Sequence, residues 1–232
     1  MEEDKIIVLS LGGSIIIPKS GFDIKFLKLF KNLILKFTKK GYRFIIVCGG
    51  GQTARSYQKT AKELNNLTSD DIDWVGIYST WLNASLIKSV FKEQTYSEII
   101  KNPTEKVNWK TPILIAGGWK PGFSTDYDAV KLAELYGVKK VINLSNIDYI
   151  YDKDPKKFKG AEKIQKIGWH DFRKIIGGDR WIPGTNLPFD PIASQTAQKL
   201  SLILYFIKGT DLAETEKAIT GEKFKGTIVG EN

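Results

Sequence analysis

Three short runs of aliphatic, β-branched-rich residues in this chain each end in consecutive glycines, and this recurrence constrains the fold more than any other feature. Residues 5–11 (KIIVLSL) run into Gly12-Gly13, residues 43–48 (RFIIVC) into Gly49-Gly50-Gly51, and residues 112–116 (PILIA) into Gly117-Gly118. Two further runs, 140–144 (KVINL) and 201–207 (SLILYFI), have the same apolar character. A strand with one wet face alternates polar and apolar residues. These runs are apolar throughout, so both faces are buried, as in a mostly parallel sheet covered by helices on each side.

Helical patterns fill the gaps between the runs. In residues 23–39, Phe26, Leu27, Phe30, Leu33, Ile34 and Phe37 form an apolar stripe, and Gly41 follows as a C-terminal cap. A second helix is expected over residues 53–64. Thr68-x-x-Asp71 has the form of a capping box. The helix behind it carries Ile72, Val75, Ser79, Leu82, Leu86 and Val90 at spacings of three and four. Another helix is expected over 126–136. Asp190 followed by Pro191 marks the start of a last one, an N-cap with proline in the first helical position. Residues 222–229 would add a short edge strand. No repeat or linker interrupts this order. The expected fold class is α/β: a three-layer α/β/α sandwich around a mostly parallel sheet, with residues 1–232 as a single domain.

Composition narrows the partners. Hydrophobic residues make up 42% of the 232, enough for a large core and too many for a disordered chain. The net charge is +9, but the basic residues are scattered rather than blocked. The excess therefore reads as a solvated surface, with no nucleic acid and no membrane as partner. Cys48 is the only cysteine, so no intramolecular disulfide can form, and its place at the end of an apolar run makes it a buried small hydrophobe. The start, Met1-Glu2-Glu3-Asp4, is acidic, unlike a secretory signal, and no apolar run approaches spanning length. A cytoplasmic setting is expected.

In sheets of this kind, ligands bind beyond the carboxyl ends of the strands. Glycine there lets backbone N–H groups approach a ligand closely, and a following helix N-terminus favours anions. One such turn means little; three at corresponding strand ends point to more than one anionic group. The chain has no GxxxxGK[ST] segment, which excludes a Walker-type P-loop. Residues 49–54 (GGGQTA) depart from GxGxxG at the sixth position, which argues against a dinucleotide dehydrogenase.

Four segments then occur in order: GGGQTARSY (49–57), DWVGI (73–77) followed by Thr80-x-x-Asn83-Ala84, GGWKPGFSTD (117–126), and NLSNIDYIYDKDP (143–155). Together they resemble the amino-acid kinase family, and within it the archaeal-type UMP kinases, over nearly the whole chain. The resemblance implies transfer of the ATP γ-phosphate to UMP, with Mg²⁺ bound mainly through ATP oxygens. It implies ATP at Gly13, Ser14, Gly51, Arg55, Ser145, Asn146, Tyr151 and Asp154. It implies UMP at Gly50, Asp73 and the loop Trp119, Lys120, Pro121, Gly122, Phe123, Ser124 and Thr125. A homo-oligomer, a hexamer, is implied too.

The residue chemistry is compatible with those roles. Arg55 is a forked cation one turn into the helix after the triple glycine. Asp73 can accept from ribose hydroxyls, Ser124 and Thr125 open a helix toward a phosphate, and Tyr151 offers a flat face to adenine. Taken singly, each has a plainer reading: Ser124-Thr125-Asp126 as a helix cap, Asp154-Pro155 as a turn, Asp73 as a solvated charge, Tyr151 as core. The ordered set decides between them.

A phosphate acceptor needs no general base, so the step depends on holding two polyanions in line and offsetting their charge. Arg55 and Lys120 are the side-chain candidates for that offset. Many members of the family carry a lysine in the first strand before the glycine turn, where this chain has Ser10-Leu11-Gly12-Gly13. No catalytic residue is assigned, and no protein metal ligand is expected. Asp190 matches an acidic position of the family, although residues 184–189 before it are atypical. His170, the single histidine, matches no site and reads as a surface or capping residue. The competing functions are another kinase on the same fold and a nucleotide-binding storage or regulatory protein without turnover. Isopentenyl phosphate kinases place a histidine after their glycine loop, where Gly51 here is followed by Gln-Thr-Ala-Arg. Acetylglutamate, aspartate and carbamate kinases lack the Asp73 and PGxSTD pair.

Overall fold

The structure is a computed structural model and describes residues 5–155, 157–177 and 187–230. The first half runs β1 (Lys5–Leu11), α1 (Gly13–Ile16), α2 (Ile24–Thr38), β2 (Tyr42–Cys48), α3 (Gly51–Leu64), α4 (Ser69–Phe91), β3 (Thr95–Ile100), β4 (Ile113–Ala116) and α5 (Thr125–Leu135). The second half runs β5 (Lys140–Ser145), β6 (Ile150–Tyr151), β7 (Lys163–Ile164), β8 (Lys166–Ile167), α6 (Trp169–Ile175), α7 (Pro191–Lys199), β9 (Ile203–Lys208), α8 (Leu212–Thr220) and β10 (Thr227–Val229). Eight strands form one sheet in the order β3-β4-β2-β1-β5-β9-β10-β8, and β6 and β7 form a separate hairpin. All pairings in the large sheet are parallel except β10 with β9.

Two apolar clusters fill the two faces of this sheet. On one face, α2, α4 and α8 cover β1, β2, β4 and β5 through residues such as Phe30, Ile34, Ile87 and Ile219. On the other, α5, α6 and α7 cover the alternate residues of the same strands through Val130, Phe172 and Ala193. The three-layer α/β/α arrangement is thus the one the apolar runs require. The predicted stripe of α2 is its buried face in full, and Asp23 caps the helix by accepting from Phe26 N at 2.9 Å. Burying one such phenylalanine stabilises the fold by about 1.5–3 kcal/mol. Both halves of the Thr68–Asp71 capping box are present. Cys48 is fully buried, and His170 is exposed on α6. No described helix is long and apolar enough to cross a membrane.

Two expectations need correction, and some elements were not expected at all. The buried face of α4 is Ile72, Ile77, Ser79, Thr80, Asn83, Ala84, Ile87 and Phe91; of the expected stripe Ile72 and Ser79 are buried, Leu86 and Val90 pack half-buried on the core, and Leu82 is 61% exposed. This helix packs on α3 as well as on the sheet, which turns small and polar residues inward and leaves Trp74, Tyr78 and Leu82 as an outward stripe. The C-terminal strand is not an edge strand. It lies between β9 and β8, and β8 is two polar-flanked residues too short to read from sequence. Finally, β3 and α8 have no counterpart in the sequence reading. The exposed Ser97 and Glu98 interrupt β3, and α8 buries Glu214 and Thr215 among its few apolar residues.

Candidate active site

The sheet order places β1 between β2 and β5, so the chain winds outward in opposite directions from β1. That is the topological switch point at which open α/β sheets bind ligands. The glycine turns after β1, β2 and β4 and the Ser145-Asn146 turn after β5 therefore line one rim, in the order β4, β2, β1, β5. Hydrogen bonds fix their spacing. Gly49 N donates to Leu11 O at 2.9 Å, Gly12 N to Leu144 O at 2.9 Å, and Gly209 N, just past β9, to Ser145 O at 2.7 Å.

Gly13 and Gly51 are glycines for a packing reason. A Cβ on Gly13 would lie 2.2 Å from Gly51 N, and one on Gly51 would lie 2.2 Å from Gly13 C. Gly51 also takes φ +59°, a left-handed conformation that disfavours side chains. The first two turns thus touch backbone to backbone. Gly13 and Ser14 open α1, and Gly50 and Gly51 open α3. Arg55, one turn into α3, is exposed and has no hydrogen-bond or ion-pair partner among the described residues. Lys208, which the sequence reading did not single out, pairs in register with Ser145 and is an exposed cation at the same rim.

The predicted acceptor loop precedes α5. Trp119, Phe123 and Tyr127 form a run of tilted ring contacts, with centroids 5.3 and 4.5 Å apart, and Lys120 Nζ lies 4.0 Å from the Trp119 ring centroid. Gly122 takes φ +84°. Asp73, half-exposed on α4, accepts from Gly122 N through Oδ2 at 2.8 Å and so bridges the helix to this loop. Ser124 is the N-cap of α5. Its Oγ accepts from Tyr127 N at 3.2 Å and donates to Asp190. The Ser124 hydroxyl is thus engaged within the protein, and Thr125 is the first helical residue. Asp190 caps α7 as expected, accepting from Ile192 N at 2.6 Å and Ala193 N at 3.2 Å. Residues 184–186 of the atypical segment before it lie outside the described residues.

Tyr151 and Asp154 belong to the excursion after β5. Tyr151 lies in the β6–β7 hairpin, and its hydroxyl donates to Asp148 Oδ1 at 3.1 Å. The Asp154 carbonyl accepts from Lys157 N and Phe158 N, so the Asp-Pro pair does form a turn.

Behind the rim lies an acidic cluster that the sequence reading did not assign. Asp126 Oδ1 accepts from Ser10 Oγ and from Asn143 Nδ2, both at 3.2 Å. Burial, and then the neighbouring Asp190 charge, push the Asp126 carboxyl up to about 7. Burial also raises Asp128 well above the ordinary carboxylate value, and its Oδ2 accepts from Trp119 N at 3.2 Å. Asp190 is raised by burial as well. The available signal was Ser10 and Asn143, polar residues within otherwise apolar runs, which pair in register on β1 and β5. Ser10, two residues before Gly12 at the end of β1, is therefore a serine bonded to a carboxyl. A cleft of about 820 Å³ lined by Ile6, Arg43 and Trp109 opens at the opposite end of the sheet, away from these turns.

Residues 5–206 match the model of the amino acid kinase family. Among curated relatives, a uridylate kinase of Methanocorpusculum labreanum is 32% identical over 228 residues, covering 97% of this chain and 95% of the relative. A uridylate kinase of Methanobrevibacter smithii is 32% identical over 225 residues, covering 96% of this chain and 98% of that one. The crystal structure of uridylate kinase from Archaeoglobus fulgidus superposes with a TM-score of 0.82 at 30% identity, covering 97% of this chain and 99% of that one. With its strand-end glycine turns, its switch point at β1 and this full-length similarity, the chain belongs to the amino acid kinase family, alongside the archaeal uridylate kinases.

Proposed function

We propose that this chain is a UMP kinase that transfers the γ-phosphate of ATP to UMP, giving UDP and ADP. The observation that carries the reading is the arrangement of the rim: four strand-end turns stand side by side in a chain similar to uridylate kinases from end to end. Gly13, Ser14, Gly51, Arg55, Ser145 and Asn146, at the ends of β1, β2 and β5, are the ATP side, with Tyr151 and Asp154 on the excursion beyond. Gly50 and the loop from Trp119 to Thr125, at the ends of β2 and β4, with Asp73 on α4, are the UMP side.

In the reaction an oxygen of the UMP phosphate attacks Pγ as the bond from Pγ to the β,γ-bridging oxygen breaks. The electron pair departs with ADP. No side chain has to remove a proton, so the protein contributes placement and charge. Backbone N–H groups of the glycine turns and the N-termini of α3 and α5 face the phosphates, each helix end contributing about 0.3–1 kcal/mol. Arg55, Lys120 and Lys208 are the cations of the rim. The substrate is ATP as its Mg²⁺ complex, in which phosphate oxygens and water carry the ion.

Residues 1–232 are read as one domain acting in the cytoplasm, in a homo-oligomer that the family resemblance makes a hexamer. The outward stripe of Trp74, Tyr78 and Leu82 on α4 supports association with a second copy. A coupled ADP-release assay over a panel of acceptors tests the function. UMP should be turned over far better than CMP, dUMP, isopentenyl phosphate, carbamate or acetylglutamate. A site that hydrogen-bonds a substrate group can reject analogues lacking it by up to about 10⁴–10⁵. Equal use of UMP and CMP, or a preference for a non-nucleotide, would contradict the assignment.

A further inference from the structure

The turns of the rim are tied to one another through the buried face of α4. Thr80 Oγ1 accepts from Gly118 N at 2.7 Å and donates to Ile77 O at 2.7 Å. The adjacent Trp81 Nε1 donates to Gly118 O at 2.7 Å, so both backbone polar groups of Gly118 are held by α4. Three residues after Thr80, Asn83 is fully buried, and its Nδ2 donates to Gly49 O at 2.7 Å and to Gly50 O at 3.2 Å. Gly50 also packs against the helix: a Cβ there would lie 3.5 Å from Thr80 Cγ2 and 3.4 Å from Gly76 O. Gly13 in turn rests on Gly51. A continuous line of contacts thus runs from Gly13 through Gly49–Gly51, Asn83 and Thr80 to Gly118, and so from the ATP side to the UMP side.

The polarity of these two side chains has no packing explanation. Leucine or valine would fill the same face of α4, as Ile77, Ile87 and Phe91 do along the helix. Asn83 also leaves its Oδ1 buried without a partner, a cost that an apolar residue would avoid. What Asn83 and Thr80 provide instead is a fixed place for two glycine turns that have no side chains of their own. In-line transfer between two phosphates depends on that placement, and a displacement of about 1 Å can cost about 10²-fold in rate.

We propose that Thr80 and Asn83 are positioning residues that set the separation between the ATP-binding and UMP-binding turns. The proposal rests on the assignment of those turns to the two substrates. Neither residue touches a substrate; each acts through glycine backbone. Loss of either tie should therefore leave each turn able to bind its own ligand while spoiling their relative placement, which lowers kcat more than it raises KM.

The test compares Thr80→Val, Thr80→Ser and Asn83→Ala with the unmodified chain, measuring kcat, both KM values and melting temperature. Thr80→Val keeps the shape and deletes the hydroxyl, whereas Thr80→Ser keeps the hydroxyl. Expected are a kcat at least about tenfold lower for Thr80→Val and Asn83→Ala, KM values within about threefold, and recovery of kcat in Thr80→Ser to within about twofold. Should Thr80→Val fold too weakly to assay, Trp81→Phe deletes the second bond to Gly118, with part of the ring packing on Trp74 and Tyr78, and should show the same kcat-selective loss. A folded Thr80→Val or Asn83→Ala with unchanged kcat overturns the inference. So does a loss that serine does not recover, or a rise in KM with kcat intact. If the unmodified chain forms no UDP, the functional reading falls first and takes the inference with it. If it forms UDP and the variants match it, only the positioning role falls.

Discussion

Asp73 on α4 and Gly122 in the loop before α5 are joined by a hydrogen bond of 2.8 Å, from the glycine N–H to one carboxylate oxygen. The residue expected to meet a ribose is thus already fastened to the acceptor loop, through Oδ2. Among the described residues its Oδ1 has no protein partner and remains available to a ligand hydroxyl.

That geometry separates two roles of Asp73. Asparagine can still accept the Gly122 N–H through its single carbonyl oxygen, but its amide replaces the oxygen offered to the ribose. Asp73→Asn should therefore weaken UMP binding by about 5- to 150-fold, equivalent to about 1–3 kcal/mol, with the ATP constant unchanged. The preference for UMP over dUMP should shrink with it. Asp73→Ala should lose more, because the loop is also released. Titration of each variant with UMP and dUMP reads the difference. Wild-type UMP affinity and preference in Asp73→Asn would leave Asp73 only the loop contact.

Arg55 is expected to act on the other substrate. It is exposed one turn into α3, beside Gly51, and its guanidinium has no partner among the described residues. Charge-assisted hydrogen bonds contribute about 1.5–3 kcal/mol, so Arg55→Ala should cut kcat/KM for ATP by about 10- to 150-fold. The UMP constant should change little. Steady-state kinetics with each substrate varied in turn checks this, and unchanged ATP parameters would make Arg55 an ordinary surface residue.

The acidic cluster predicts a pH dependence of unusual sign. Burial raises Asp126 to about 7 in the folded chain, above the ordinary carboxylate range of the unfolded one. Between those values the folded state holds the extra proton, so stability is lost as pH rises. The contribution is present in full below about pH 4 and is gone once pH passes about 7. In Asp126→Asn that part of the dependence disappears. The melting temperature of the unmodified chain minus that of the variant should fall from pH 5 to pH 7 and then level off. Thermal scans across that range check it, and a difference independent of pH would show that Asp126 is ionised throughout.

Much of the layered fold was legible because strands buried on both faces leave an unmistakable pattern. The run 5–11 is β1 residue for residue, and 43–48, 112–116 and 140–144 each lie within a residue of β2, β4 and β5. Elements whose burial is mixed did not read. Ser97 and Glu98 face solvent in β3, and β8 has only Lys166 and Ile167. On α4, spacing alone chose the exposed Leu82 and passed over Thr80 and Asn83, buried polar residues whose side chains bond the backbone of Gly118, Gly49 and Gly50. The rim itself was marked by its glycines. Contacts that join distant segments needed the fold: Ser10 stood out as a polar residue in an apolar run, but nothing local named Asp126 as its partner, or Gly122 as the partner of Asp73.

The central claim is that this rim passes a phosphate from ATP to UMP, and isotope transfer tests it most directly. With [γ-³²P]ATP, Mg²⁺ and UMP, the account predicts label in the β-phosphate of UDP in equal amount to the ADP formed. ADP released with label only in inorganic phosphate, or no turnover despite binding of both nucleotides, would contradict it.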